Sequence, residues 1–109
     1  MSDVIVVDDS NFDKEVLQSL VPVIVDFGAV WCGPCQKQML VLAPFATQHK
    51  DRLKVVKVDV DDAIGLTTKY GIKSVPAMFL FFQGKQVDSK IGLTNAVTLD
   101  AWVKEKTGR

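Results

Sequence analysis

Apolar and polar residues follow two periods along this chain, and the switches between them mark its elements. Val4–Val7 (VIVV) is a short β-branched run that predicts a strand. Ser10 is placed to cap a helix over Phe12–Leu20, with Phe12, Val16, Leu17 and Leu20 spaced as one helical face. Val23–Phe27 (VIVDF) predicts a second strand, since four of its five residues are β-branched or aromatic. The longest helical stretch runs from about Pro34 to Lys50. Leu53–Val60 (LKVVKVDV) reads as a strand with strict alternation near its end. Asp61 or Asp62 then caps a short helix that reaches Tyr70 and stops at Gly71.

The second half changes character. Ala77–Phe82 (AMFLFF) is a continuous apolar run, which predicts a buried strand, and Gln83-Gly84-Lys85 is a turn signal. Gln86–Ile91 is the antiparallel return. Thr94 or Asn95 caps a last helix with Val97, Leu99, Trp102 and Val103 facing inward, stopped at Gly108. The order βαβαβαββα belongs to the α/β class. Strand–helix–strand units imply right-handed parallel crossovers with helices on both faces of a central sheet. The closing hairpin makes that sheet mixed.

Composition narrows the function. With 109 residues and 48% hydrophobic content, the chain suits one domain, residues 1–109, around one core. Lys+Arg and Asp+Glu both number 13, and the charges are scattered, so no nucleic-acid or anionic-membrane footprint is expected. No apolar run approaches the roughly 18 residues of a membrane span. The start, MSDVIVVDDSNFDKE, lacks the basic and apolar regions of a secretory signal, so a cytoplasmic location is expected. A reducing compartment disfavours a purely structural disulfide.

The chemistry sits in WCGPC, Trp31–Cys35, which holds both cysteines. As a staple, a Cys32–Cys35 bridge closes too small a loop to matter: about 2 kcal/mol by chain entropy, before strain. As half of a zinc site, the pair has His49 after thirteen intervening residues. A second histidine is due after three to five more intervening residues, and those places hold Leu53, Lys54 and Val55. A four-cysteine site would need a second copy of the chain. The redox reading fits best. Cys32 precedes a helix whose first N–H groups are unpaired and favour a thiolate over a thiol. Pro34 is tolerated in the first turn, and Gly33 puts no side chain over the sulfur. Cys35 lies on the same side of the helix, within bridging reach and expected to be the more buried. Cys32 should therefore attack a disulfide and Cys35 should resolve the product.

With WCGPC, the element order and the length together, the chain resembles the thioredoxin family from about Val4 to Lys106. The resemblance implies a thioredoxin fold and a protein dithiol–disulfide oxidoreductase that holds no cofactor of its own. Its electrons would come from a thioredoxin reductase, a flavoenzyme or a ferredoxin-linked enzyme, and go to disulfide-containing target proteins. A monomer is expected. Asp26 matches the family's buried carboxylate, which assists proton transfer from the second cysteine. Lys57 matches the lysine that faces it. Val75-Pro76 matches a loop whose proline bond is cis and whose backbone pairs with an extended substrate. Trp31, Gly33, Pro34, Val75, Pro76 and Gly92 would line a flat apolar docking surface. No Gly-rich nucleotide fingerprint occurs in the chain.

Two positions depart from the family pattern. Gly28 stands where an aromatic residue, often Trp, is usual, so either neighbours fill the space or water reaches Asp26. The proline usual five residues after the second cysteine is replaced by Leu40, and Pro44 appears one turn later, so any bend is expected over Leu40–Pro44. Gly28 also gives weight to a different class of function, a binding subunit or scaffold that uses the docking surface but not the thiols.

Overall fold

A strand with no polar face needs cover on both sides, and Val23–Gly28 has it. In the computed structural model, which describes residues 3–109, this segment is β2. Met1 and Ser2, inside the domain bounds expected from the sequence, lie outside the described residues. The other strands are β1 (Val4–Val7), β3 (Lys54–Asp59), β4 (Ala77–Phe82) and β5 (Lys85–Ile91). The α-helices are α1 (Gly33–Gln48), α2 (Ile64–Lys69) and α3 (Ala96–Thr107).

The five strands form one sheet in the order β1-β3-β2-β4-β5. β1, β3 and β2 run parallel, and β4 and β5 complete an antiparallel half. The pleat sends alternate residues of β2 to opposite faces. Val23, Val25 and Phe27 pack with Val56, Val58, Phe79, Phe81 and α2 residue Leu66. Ile24 packs on the other face with Val55, Leu80 and the inner residues of α1 and α3, among them Leu42, Phe45, Leu99 and Trp102. Asp26 is paired in register with Lys57 on one neighbouring strand and Met78 on the other. That register places it on the α1 side of the sheet.

The helix ends show which local signals operate. Asn95 caps α3, its Oδ1 accepting from the Thr98 N–H at 2.9 Å, and Gly108 ends it at φ +71°. Gln83 and Gly84, both at positive φ, make the hairpin turn. α1 carries Pro44 without interruption, and Pro44 and Leu40 both lie on the solvent side.

Other expectations are corrected. The helix expected over Phe12–Leu20 is a five-residue π-helical turn, Asp13–Leu17. Ser10 does not cap it. Its N–H and hydroxyl both donate to Asp8 Oδ1, while Asn11 Oδ1 accepts from the Asp8 N–H, which winds the chain into a tight polar turn. Leu20, expected inward, is 89% exposed, and so is Val97 at 81%, because Leu99, Trp102 and Val103 already fill the inner face of α3.

Neither Asp61 nor Asp62 caps α2. Asp9, at the far end of the β1 connection, does so: its carboxylate accepts from the Gly65 N–H at 3.0 Å and the Leu66 N–H at 2.9 Å. Gly65 permits the approach, since a Cβ there would sit 2.8 Å from Asp9 Oδ2. Replacing Asp9 by Ala should therefore cost about 1 kcal/mol in denaturant unfolding of the oxidised protein, while Asp62→Ala should be neutral. Equal effects of the two changes would assign the cap wrongly.

Candidate functional site

The connection from β2 to α1 carries the cysteines. Cys32 has extended backbone (φ −96°, ψ 111°) and is the N-cap of α1. Its Sγ accepts from the Cys35 N–H at 3.2 Å, the place a Ser or Asp oxygen takes in an ordinary cap. Pro34 lies in the first turn, where its missing N–H leaves no helical bond unmade. Cys32 and Cys35 are disulfide-bonded, with Cα atoms 5.2 Å apart. Cys35 is not the more buried of the two: Cys32 is 5% and Cys35 7% exposed. The physical reason is the cover over Cys32, where Ala29, Val60 and Val75 pack around the pair.

The residues expected to line a docking surface converge on this corner. The Val75–Pro76 bond is cis, and the Val75 carbonyl oxygen lies 3.9 Å from Cys32 Sγ. The Gly92 N–H donates to the Pro76 carbonyl at 2.9 Å, joining the next loop to it. Trp31, Gly33 and Pro34 are exposed, Val75 and Gly92 half-buried, and Pro76 buried. Val30, Ile91 and Leu93 add exposed apolar surface nearby in the chain. A groove of about 380 Å³ lies between Trp31 and Val75, with Lys73 on its wall.

Two polar contacts that hold this surface have no local sequence signal. The Trp31 indole N–H donates to Asp61 Oδ2 at 2.8 Å, which fixes an otherwise exposed ring. Gln38, fully buried in α1, uses both ends of its amide on one residue. Its Nε2 donates to the Thr94 carbonyl at 3.0 Å, and its Oε1 accepts from the Thr94 N–H at 2.8 Å. The loop that carries Gly92 and Leu93 is thereby tied to the cysteine helix. His49 takes no part. It ends α1, with its ring tilted against Phe45 and in hydrogen-bond contact with Arg52.

Behind the cysteines lies Asp26, 3% exposed, with no hydrogen-bond partner for Oδ1. Burial pushes its carboxyl up from 3.8 to about 7, against a smaller downward pull from the Lys57 charge. Lys57 is exposed and sits beside Asp26 in register, but makes no contact ion pair among the described residues. At Gly28 a Cβ would meet Cys35, 3.3 Å from its Cβ and 3.4 Å from its Sγ, so Cys35 takes the room next to the glycine backbone, and open space remains beside the two. A cavity of about 320 Å³ opens there, with Asp26, Cys35 and Lys57 all on its wall.

Thiols bridged across the first turn of a helix, beside a cis-proline loop, define a dithiol–disulfide oxidoreductase site. Comparisons with known proteins agree. The family model described as Thioredoxin matches residues 3–105. The chain is 41% identical over 99 residues to the thioredoxin of Rickettsia felis, covering 91% of this chain and 94% of that protein. It is 42% identical over 99 residues to thioredoxin 1 of Synechococcus elongatus, covering 91% and 92%. It is 44% identical over 91 residues to the thioredoxin of Griffithsia pacifica, covering 84% of each. The chain belongs to the thioredoxin family.

The Asp26 shift carries a pH signature. The folded protein holds this proton more tightly than the unfolded chain. That stabilisation is complete below about 3.8 and is lost as pH rises through about 7. A displacement from 3.8 to about 7 is worth roughly 4 kcal/mol. Relative to the parent, Asp26→Asn should thus gain about 4 kcal/mol of stability between pH 4 and pH 8.5, measured by denaturant unfolding of the oxidised form. A difference that does not change with pH would mean the carboxyl is not displaced.

Proposed function

We propose that this protein is a general reductant of protein disulfides, with Cys32 as the attacking sulfur. The observation that carries this is the Cys35 N–H aimed at Cys32 Sγ at the start of α1, which favours negative charge on that sulfur. The Cys32 thiolate attacks one sulfur of a target disulfide. A Cys32–target bond forms, the target S–S bond breaks, and the other target sulfur leaves as a thiolate. Cys35 gives up its proton and attacks Cys32 Sγ. The Cys32–Cys35 bond forms, the Cys32–target bond breaks, and the target leaves as a second thiolate, having gained two electrons.

Asp26 is the acceptor for the Cys35 proton. Its carboxyl titrates near neutral pH and lines the same cavity as Cys35. Lys57, beside it in register, favours the ionised form and so keeps the acceptor available. Trp31, Gly33, Pro34, Val75, Pro76 and Gly92 form the docking surface, with the backbone of the proline loop pairing with an extended substrate segment. Targets are disulfide-containing proteins, and a thioredoxin reductase returns the electrons. The protein works as a cytoplasmic monomer of one domain. No helix among the described residues is long and apolar enough to cross a membrane.

Single serine variants test the order of attack. With insulin as the disulfide substrate, Cys35→Ser should accumulate a covalent adduct visible by non-reducing mass spectrometry. Cys32→Ser should form none, and both should lose turnover. An adduct on Cys32→Ser, or turnover that survives its loss, would reverse the assignment.

A further inference from the structure

Residues 92–94 join the end of β5 to the Asn95 cap of α3, and this short link carries Gly92 of the proposed docking surface. It has no strand or helix of its own to satisfy its backbone, so partners must come from elsewhere. At one end the Gly92 N–H donates to the Pro76 carbonyl at 2.9 Å. At the other, Gln38 of α1 meets both backbone polar groups of Thr94. It accepts from the Thr94 N–H at 2.8 Å and donates to the Thr94 carbonyl at 3.0 Å. Leu93, between the two anchors, is 52% exposed.

Gln38 lies three residues after Cys35, one turn further along the same helix, and is fully buried. A buried amide is costly unless both of its ends are paired, and here one backbone unit pairs both. Such a contact permits a single arrangement. A shift of the link would leave the two ends of the amide and the two groups of Thr94 unpaired together. An apolar side chain at this position could occupy the room without fixing the link. The helix that carries the cysteines therefore also sets where Gly92 and Leu93 stand beside them. We infer that Gln38 is a positioning residue that favours protein disulfides over small ones as substrates. It touches no substrate. It holds the link where an incoming polypeptide docks, whereas a small disulfide reacts at Cys32 without reaching across to residues 92–94. This role presupposes that the protein reduces protein disulfides, as proposed above.

Gln38→Met tests it, keeping the length of the side chain while removing the amide's donor and acceptor. Insulin reduction is measured with dithiothreitol as electron donor, beside reduction of the small disulfide dithiobis(nitrobenzoic acid). The KM for insulin should rise about tenfold, with kcat and the small-disulfide rate unchanged. Hydrogen exchange at the Thr94 amide should be slow in the parent and faster in the variant. A merely structural loss would lower the unfolding midpoint and leave the ratio of the two substrates as it was. If Gln38→Met does not fold, Gln38→Glu takes its place: ionised, it still accepts from the Thr94 N–H but has no donor for the carbonyl. An unchanged insulin KM, equal slowing on both substrates, or an unprotected Thr94 amide in the parent would overturn the role of Gln38 alone. A parent protein that reduces neither substrate would overturn the proposed function, and this role with it.

Discussion

A sulfur atom capping a helix is the contact on which the rest of this molecule depends. The bond from the Cys35 N–H to Cys32 Sγ, 3.2 Å long, requires Cys32 to be extended and Gly33, the next residue, to begin α1. The strand that delivers it, β2, is the sheet's middle strand and is buried on both faces except at Gly28. A slip of one residue in its pairing would send Asp26 to the opposite face and Phe27 into its place. The apolar sequence VIVDF, costly to expose anywhere, is thus also what holds the sulfur in position.

The same burial sets the protein's main electrostatic liability. Asp26 sits where a valine or leucine would pack without penalty, and its oxygen finds no donor. Lys57 lies in register yet stays in solvent, so its charge only partly offsets the desolvation. The result is a carboxyl that exchanges a proton near neutral pH beside a thiol that must lose one. Gly28 lets the backbone of β2 approach Cys35 closely at this point, with open space adjoining both. In the proposed reaction, stability is given up at a point where proton transfer gains from it.

The parts of this structure legible in the sequence are those fixed by neighbours along the chain. The strands from VIVV, VIVDF and AMFLFF, the Asn95 cap, the glycine stop at Gly108 and the sulfur at a helix start all follow from residues a few positions apart. The illegible parts are polar contacts made by folding. Asp9 caps α2 from 56 positions away, and Gln38 grips Thr94 from the same distance. The first satisfies a demand that the local rule assigned to Asp61 or Asp62. Leu20 and Val97 failed as core residues because helical spacing identifies a face but not where the packed neighbour ends. Asp26 was visible as a carboxylate within an apolar run. Its unpaired oxygen and the cavity beside it required the three-dimensional arrangement.

The central claim is that the start of α1 makes Cys32 a thiolate while Cys35 stays a thiol. The most direct measurement is the pH dependence of alkylation of the reduced protein, with each cysteine followed by peptide mass. The account requires Cys32 to react first, with a midpoint below the ordinary thiol value of about 8.5. Reaction of Cys35 ahead of Cys32, or a Cys32 midpoint at or above that value, would contradict it.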